Sequence, residues 1–439
     1  MKTIQLDTTL AELYRNHGIK GPFIVTMYCV FGHLDLHPNF PRELTFPEDE
    51  EPVPFSEDAN EQDRLKRIIL GLKPLRRAFG IGNMDVIFFG PNATAAGMER
   101  ALSQLEPSQR HRPRFLDLEK GNVPQQLLDA SKNKKLLFWR PQGWMKDHDC
   151  LIDPQEGYDI NSKKFLVTSG IKTPRSIVVN LQDMDLDDPE MILNQRPLPF
   201  VLKLCRAGCG FGTFIVTNET NRGNMMESMR TYKKRGVTEV LVSDYIDLVQ
   251  DLAVHFLIGA ADSERNHNDP LILGVTVQKL TADGKWVGGH IDYSAQGELH
   301  DLVRETVRDT ARRMPRSYVG WAGIDIVVDR QGQQWVVDLN ARFTGSMPIC
   351  FMSGHFWKRR SLPLAQFGAF GYSGKLDSIY ERLRPLLDFG QVIVTATAEI
   401  YEGDNMADIV WGGRDAADLQ RVEQWIKERL AQVELPTVV

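Results

Sequence analysis

The stretch WVVDLNARFTGS, residues 335–346, joins the apolar start of a buried strand to a line of polar side chains. Asp338, Asn340 and Arg342 stand at alternate positions, so an extended chain projects all three from one face. A solvated edge strand would explain this pattern. A site that binds a metal ion and an anion would explain it equally well.

The strand that precedes this stretch, GWAGIDIVVD (residues 320–329), carries a further acid at Asp325. The link RQGQ between the two strands predicts a hairpin that lays Asp325 beside Asp338, with Asn340 one pleat further along. Two carboxylates and an amide oxygen are ligands suited to Mg²⁺, which shares its remaining positions with water and phosphate. The alternative is that each acid simply faces solvent.

A glycine-rich loop follows a lysine in PFVLKLCRAGCGFGT, residues 199–213. The pattern predicts a buried strand that carries Lys203, and then a loop with Gly208, Gly210 and Gly212. Such glycines let backbone N–H groups approach anionic oxygens, while the lysine supplies a point charge. The lysine precedes the glycines, so this is not a P-loop, and an ordinary glycine-rich hairpin turn is the alternative.

A third element, EVLVSDYIDLVQDLAVHF, spans residues 239–256. It predicts a strand that ends at Asp244-Tyr245-Ile246 and a second strand that begins near Leu252, with Asp251 in the loop between them. Taken alone, the pattern indicates only a strand, a loop with acids and another strand.

The first third of the chain has the character of a Rossmann-type lobe. The continuous apolar runs PFIVTMYCVF (residues 22–31) and MDVIFF (residues 84–89) are typical of buried parallel strands, and residues 59–79 between them predict a helix. Residues 37–63 are rich in proline and acids, which predicts a long excursion or a partly disordered loop. No G-x-G-x-x-G fingerprint indicates a dinucleotide site here.

These elements, in this order, resemble the ATP-grasp superfamily of carboxylate–amine ligases, including D-alanine–D-alanine ligase-like and L-amino-acid ligase-like members. The resemblance covers roughly residues 162–354 and is strongest at VVDLNARFTGS, which is similar to the family's acid-x-Asn-x-Arg strand. It implies an α/β fold, α+β in parts, in which two antiparallel-sheet subdomains sandwich ATP behind an N-terminal Rossmann-like lobe. The implied domains are residues 1–158 (N-terminal lobe), 159–246 (lid, with the glycine-rich loop at 206–213), 247–371 (metal-bearing subdomain) and 372–439 (a small C-terminal α/β appendage).

The resemblance also implies a role for individual residues. The implied Mg²⁺ ligands are Asp325, Asp338 and Asn340, with Mn²⁺ as an alternative metal. The implied catalytic residues are Arg342, which meets the substrate carboxylate or acyl phosphate, and Lys203. The implied ATP-binding residues are Lys163, Lys203, Gly208, Gly210, Gly212, Asp244, Tyr245, Ile246, Asp251 and Lys279.

Several of these positions depart from the family pattern. Aspartate replaces the usual glutamate at 244, 251 and 338, which shortens each side chain by one methylene and puts the ribose contact in doubt. The first ATP lysine is Lys163 or Lys164, with Lys163 favoured by the pattern S-K before G-I-x-x-P. Lys279 is a candidate for the γ-phosphate, with a solvated strand lysine as the alternative.

The implied reaction is ATP-dependent ligation. A small carboxylic acid, an amino acid or peptide, becomes an acyl phosphate and joins an amine, with release of ADP and phosphate. The alternatives are a ligase with a thiol or carrier-protein acceptor and a non-catalytic ATP-binding regulatory protein.

The bulk sequence limits the partners. A net charge of −6 over 439 residues provides no excess of cations for a nucleic acid. Five scattered cysteines form no disulfide framework, and no apolar run is long enough for a membrane span. We therefore expect a cytoplasmic protein with small-molecule carboxylate and amine substrates, no nucleic-acid or membrane partner, and a homodimer as an open alternative.

Overall fold

The computed structural model describes most of the 439 residues. The described residues are 3–27, 49, 68, 72–89, 93–116, 121–208, 210, 212–280, 286–401 and 403–430. The predicted excursion over residues 37–63, apart from residue 49, lies outside them, as do residues 28–31 of the first predicted strand and most of the helix predicted over residues 59–79. None of the described helices is both long enough and apolar enough to cross a membrane.

The N-terminal part contains a four-stranded parallel sheet in the order β3-β2-β1-β4. Its strands are β1 (Phe23–Thr26), β2 (Asp85–Phe89), β3 (Arg112–Leu116) and β4 (Lys135–Phe138). The helices around it are α1 (Leu10–Asn16), α2 (Lys73–Ala78), α3 (Ala93–Ser103) and α4 (Val123–Ser131). All five residues of β2 are buried, as expected for a continuous apolar run inside a parallel sheet. The Rossmann-like lobe predicted from sequence is therefore present.

Two short helices connect this lobe to the next sheet: α5 (Pro154–Ile160) and α6 (Lys163–Thr168). Each begins at a side-chain cap, because Asp153 accepts from the backbone N–H of Glu156 and Ser162 accepts from that of Lys164. The cap at Ser162 places Lys163 at the first helical position.

The second sheet, called the lid sheet below, has four antiparallel strands in the order β5-β8-β6-β7. Its strands are β5 (Ser176–Asn180), β6 (Phe200–Leu204), β7 (Thr213–Val216) and β8 (Glu239–Asp244). Two helices accompany it, α7 (Ile192–Gln195) and α8 (Glu219–Lys234). Leu202 and Val242 face α8, which presents Met225 and Met229, and these side chains form a separate apolar core.

The third sheet, called the central sheet below, has eight strands in the order β13-β12-β9-β10-β11-β14-β16-β15. Its strands are β9 (Leu248–Ile258), β10 (Leu271–Leu280), β11 (Trp286–Asp292), β12 (Gly320–Asp329), β13 (Gln334–Asn340), β14 (Leu364–Ser373), β15 (Val392–Tyr401) and β16 (Asp404–Gly413). The helices in this part are α9 (Gln296–Arg313), α10 (Ser378–Arg382), α11 (Arg384–Phe389) and α12 (Ala416–Leu430). The predicted hairpin is present, with its turn at residues 330–333.

The C-terminal α/β segment predicted as an appendage extends the central sheet. In β14, Phe367 pairs with Gly289 of β11 on one side and with Val410 of β16 on the other. One continuous hydrogen-bonded ladder therefore joins the hairpin of β12 and β13 to the last strand in the chain. The sequence did not predict β14, whose residues LAQFGAFGYS include two glycines that weaken the strand signal.

Candidate active site

The acids of the hairpin lie side by side on one face of the central sheet. Asp325 pairs directly with Asp338 across the β12–β13 ladder, and Gly323 pairs with Asn340 one pleat further. Asp325, Asp338 and Asn340 all line one cavity of about 210 Å³ between the lid sheet and the central sheet. The structure thus brings the three predicted metal ligands together.

The electrostatics of this pair favour a bound cation. Burial, the charge of Asp338 and the charge of Asp251 together raise the pKa of Asp325 to about 8, while a hydrogen bond from Gln278 and the charge of Lys203 oppose that shift. A divalent cation between the carboxylates would offset their repulsion and favour the charged form of Asp325.

The composition of the donor set also fits Mg²⁺. The described residues contain no group of three or more His, Cys, Asp or Glu side chains placed to hold a metal ion. Two carboxylates and one amide oxygen still suffice for Mg²⁺, since this ion keeps several waters and shares phosphate oxygens with a nucleotide.

Two lysines from different elements face the same cavity. Lys203 on β6 donates a hydrogen bond from Nζ to the backbone oxygen of Val337 at 3.0 Å. Lys163 donates to the backbone oxygen of Ala207 at 2.5 Å, and its Nζ lies 3.6 Å from Oδ1 of Asp338. Burial, with the charge of Lys163 second, lowers the pKa of Lys203 to about 8, against the opposing charges of the cavity acids. Phosphate groups would supply the negative charge that both lysines need.

The alternative first lysine, Lys164, points elsewhere. Its Nζ lies 2.5 Å from Oε1 of Glu239, and it is absent from the lining of the cavity. The geometry therefore favours Lys163, the residue that the sequence pattern also favoured.

The glycine-rich loop forms part of the cavity wall. Gly208 and Gly210 line the cavity, and the backbone of Gly210 and Gly212 has positive φ angles of 83° and 65°. A Cβ atom at Gly212 would lie 2.5 Å from Cδ1 of Leu204. The loop thus needs glycine both for its conformation and for its close approach to β6. Cys209 and Phe211 lie outside the described residues.

A second cavity, of about 140 Å³, adjoins the first and is mostly apolar. Asp244, Tyr245 and Ile246, which the resemblance implies as ATP-binding residues, line it together with Leu248 and Val327. Lys203, Thr213 and Val337 line both cavities, which makes them two parts of one cleft. Asp244 is tied by its carboxylate to Arg196 at 2.6 Å. This cavity, called the apolar slot below, can accommodate a flat heteroaromatic ring.

Asp251 is placed differently from the sequence prediction. It lies inside β9, which begins at Leu248, and not in a loop before the strand. The register of the sheet pairs it with Val327, two residues from Asp325 on the same face of β12. Asp251 lines the same cavity as Asp325 and Asp338, where burial raises its pKa and the charge of Lys203 opposes that shift. The prediction failed because sequence alone placed the start of β9 four residues too late.

Lys279 is not brought to the cleft. Its neighbour Gln278 lines the cavity and bonds Asp325, so strand alternation turns Lys279 to the opposite face. There its Nζ lies 3.5 Å from Oε2 of Glu423 on α12. The γ-phosphate contact predicted for Lys279 does not agree with this geometry.

Arg342 lies at the end of the cavity away from the apolar slot. Its guanidinium donates to Oδ1 of Asn161 at 2.8 Å, which fixes its direction from the side of α5. It lines the main cavity and also a small neighbouring pocket, where Arg140 and Arg206 join it. This end of the cleft is therefore rich in guanidinium groups.

Three further residues of this end were not found from sequence. Arg77 of α2 lines the cavity with its guanidinium 3.8 Å above the ring of Trp139. His255 of β9 and Ser346 also line it, and their side chains are hydrogen-bonded to each other. Arg77 lies in none of the quoted motifs. His255 lies at the end of the quoted stretch 239–256, outside the glycine loop and the hairpin, and nothing in the sequence indicated a role for it. Ser346 was quoted within the opening stretch, but nothing in the sequence assigned it a partner.

Residues 175–340 match the family model described as "L-aspartate–L-methionine ligase, ATP grasp". Among solved structures, an L-amino acid ligase from Bacillus licheniformis is 14% identical, with a TM-score of 0.51 over 83% of this chain and 96% of that one. Biotin carboxylase from Campylobacter jejuni is 11% identical, with a TM-score of 0.51 over 94% and 92%. N5-carboxyaminoimidazole synthetase from Staphylococcus aureus is 11% identical, with a TM-score of 0.50 over 82% and 95%. No curated protein matches the chain by sequence.

The chain has the ATP-grasp fold, with a cleft between two antiparallel sheets. The matched residues run from the start of the lid sheet to the end of β13, and they identify an ATP-grasp module of the carboxylate–amine ligase superfamily. The superfamily and the fold class predicted from sequence are therefore confirmed.

Proposed function

We propose that this protein is an ADP-forming ligase that activates a small carboxylic acid as an acyl phosphate and joins it to an amine. The observation that carries the proposal is the convergence of two lysines, two acids, an amide and an arginine on one cleft, with Lys163, Lys203, Asp325, Asp338, Asn340 and Arg342 as its members. A non-catalytic nucleotide-binding protein would have no need of an arginine beyond the metal ligands.

The polarity of the cleft sets the direction of the nucleotide. The adenine ring takes the apolar slot at Tyr245 and Ile246, and the phosphates extend towards Lys163 and Lys203. Asp325, Asp338 and Asn340 would hold Mg²⁺, which supplies charge neutralisation for the transferred phosphoryl group. Asp244 and Asp251 are the candidates for the ribose hydroxyls, with Asp251 displaced towards the phosphates.

The reaction needs positioning and charge more than a protein nucleophile. The substrate carboxylate attacks the γ-phosphorus, while Lys163 and Lys203 bind the phosphate oxygens on which charge accumulates. Gly208 and Gly210 present backbone N–H groups and close the cavity against water, which would otherwise hydrolyse the acyl phosphate. Arg342, oriented by Asn161, then holds the acyl phosphate as the amine attacks its carbonyl carbon.

The arginines at the far end indicate which acids to test first. Arg77 and Arg342 line the same cavity, and two guanidinium groups suit a substrate with two carboxylates, one that reacts and one that is held. The matching family model is named for L-aspartate and L-methionine. We therefore take aspartate as the first donor and methionine as the first acceptor, within a panel of amino acids.

The test measures Mg²⁺-dependent release of ADP and phosphate for pairs of amino acids, with dipeptides identified by mass spectrometry. We expect ADP release that needs an acid and an amine together, and loss of that release when EDTA removes the metal. Release of AMP and pyrophosphate would contradict the acyl-phosphate mechanism. ATP binding with only background release across the panel would favour the regulatory alternative.

A further inference from the structure

His255 lies in the row of the central sheet that also contains Asn340, one row beyond Asp325 and Asp338. Asp325 of β12 pairs with Asp338 on one side and Ala253 on the other, and two residues along, Gly323 pairs with Asn340 and His255. Residues two apart on a strand face the same side, so His255 faces the cavity about 7 Å beyond the Asp325 row. It lines that cavity.

The same rows show which end of the nucleotide this position meets. The apolar slot is lined by Val327, two residues from Asp325 in the opposite direction along β12. From adenine to phosphate, the nucleotide therefore runs from the Val327 row across the Asp325 row and points at His255. In this orientation the imidazole lies next to the position at which the amine attacks the acyl phosphate.

The ring of His255 is held on three sides. Its Nε2 lies 3.0 Å from Oγ of Ser346, and its Nδ1 lies 3.3 Å from Oγ1 of Thr344. The ring stacks on Trp321 with centroids 5.6 Å apart and an interplanar angle of 30°. Packing and hydrogen bonds of this kind fix the direction in which an imidazole can accept or donate a proton.

The surroundings keep this imidazole neutral. Burial lowers the pKa of His255 to about 4, so one ring nitrogen keeps a lone pair near neutral pH. The charged side chains that line the same cavity are Arg77, Lys163, Lys203, Asp251, Asp325, Asp338 and Arg342.

We propose that His255, acting with Ser346, accepts the proton that the amine loses as it attacks the acyl phosphate. This inference rests on the proposed function. The nitrogen lone pair of the neutral amine forms the C–N bond, and the nitrogen becomes acidic as that bond forms. Its proton passes to Nε2 of His255, directly or through the Ser346 hydroxyl. The bond between carbonyl carbon and phosphate oxygen breaks, and the departing phosphate takes the proton, so His255 ends neutral.

The experiment separates the two half-reactions. Hydroxylamine, which is neutral and weakly basic near pH 7, traps an acyl phosphate as a hydroxamate without a strong base. We compare hydroxamate formation with dipeptide formation, for the same donor acid and ATP, in wild type and in His255→Gln. Glutamine keeps the polarity and approximate size of the side chain but cannot accept the proton. We expect dipeptide formation to fall about 100-fold or more, and hydroxamate formation to stay within a few fold.

Two further variants make the comparison decisive. Ser346→Ala removes the relay hydroxyl and should show the same selective loss to a smaller degree. His17→Gln is the matched control, since His17 is half-buried at the end of α1 and does not line the cavity. It should leave both rates unchanged.

The possible outcomes are distinct. Equal losses of hydroxamate and dipeptide in the two cavity variants, or no loss in either, would overturn the role of His255 and leave the ligase proposal intact. Absence of both products from wild type across the amino-acid panel would instead contradict the proposed function. If His255→Gln fails to fold, Ser346→Ala decides by the same ratio.

Discussion

Asp338 faces Asp325 across the hairpin, and its replacement by asparagine preserves shape while it removes one of two repelling charges. We expect Asp338→Asn to reduce Mg²⁺-dependent ADP release by about 100-fold or more, because the metal loses a carboxylate ligand. The metal-free variant should unfold at the same temperature as wild type or above it at pH 8. Thermal unfolding and ADP release measure the two effects, and near-normal turnover would remove Asp338 from the metal site.

Lys203 allows a test of the proposed ATP site. It is half-buried where the two cavities of the cleft join, and it donates to the backbone oxygen of Val337. We expect Lys203→Met to weaken ATP binding by about 2 kcal/mol, since charge-assisted hydrogen bonds to phosphate are lost. Calorimetric titration with a non-hydrolysable ATP analogue measures this, with Lys279→Met as control. Weakened binding in the control would mean that Lys279 reaches the nucleotide after all.

The three acid and amide residues that sequence placed together, Asp325, Asp338 and Asn340, come from one hairpin. The turn RQGQ sets the register as far as Ile326 and Val336, and a β-bulge at Val337 then shifts it by one residue, so that Asp325 faces Asp338. Asp251 was misplaced because strand starts are weakly encoded, and Lys279 because the face of a strand is set by its tertiary partners. Arg77 belongs to a part of the cavity wall built by helix α2 of the N-terminal lobe, which no spacing rule within the hairpin or the glycine loop could predict.

The shape of the glycine-rich loop depends on the backbone conformation of Gly212. We expect Gly212→Ala to raise the KM for ATP about tenfold, because a Cβ atom would clash with Leu204 and strain a residue with positive φ. Gly223→Ala is the matched control, since a Cβ atom within α8 would meet no atom within 4 Å. Steady-state kinetics compare the two, and equal KM values would show that the loop tolerates a side chain.

The start of α12 provides a prediction about pH. Asp418 accepts from the backbone N–H of Arg414 at 3.0 Å and from its guanidinium, and Arg414 is the first cause that lowers the pKa of Asp418 to about 2. The stability that this carboxylate contributes is therefore present above its ordinary pKa, near 4, and is lost as pH falls towards 2. We expect Asp418→Ala to cost about 1 kcal/mol at pH 7.

That difference should shrink as the pH falls below 4. Urea midpoints of wild type and Asp418→Ala at pH 7 and pH 3 measure the change. A difference that is constant over this range would show that the carboxylate charge does not matter.

A buried ion pair joins the N-terminal part of the chain to the central sheet. Arg76 of α2 lies 2.9 Å from Asp408 of β16, and both side chains are almost fully buried. We expect Asp408→Asn to destabilise the protein by about 3–5 kcal/mol, since the buried guanidinium of Arg76 loses the negative charge of Asp408.

The comparison for this pair is Asp187→Asn, whose partner Arg230 lies on the surface. Replacement there should change the thermal midpoint little. A small effect of Asp408→Asn as well would mean that Arg76 finds other acceptors when Asp408 is gone. Because Arg76 precedes Arg77, a large effect should be accompanied by a higher KM for the donor acid.

The three-sheet architecture was predictable from sequence in two ways. Continuous apolar runs predicted the parallel sheet, and the resemblance carried by the glycine loop and the hairpin implied the two antiparallel sheets. The neighbours of each strand were harder to predict from sequence, since β14 joins β11 to β16 across more than a hundred residues of chain. Such pairings are set by tertiary packing and leave little trace in local sequence.

The continuous ladder from β13 to β15 also determines how this chain can be divided. A cut after Ser373 would leave the far side of β14 without hydrogen-bond partners along ten residues and strip the apolar surface beneath α12. The lid sheet, in contrast, shares no strand with its neighbours, and residues 245–247 link it along the chain to the central sheet. Exchange of modules between related chains is therefore open to the lid sheet and closed to the C-terminal strands, which are part of the central sheet.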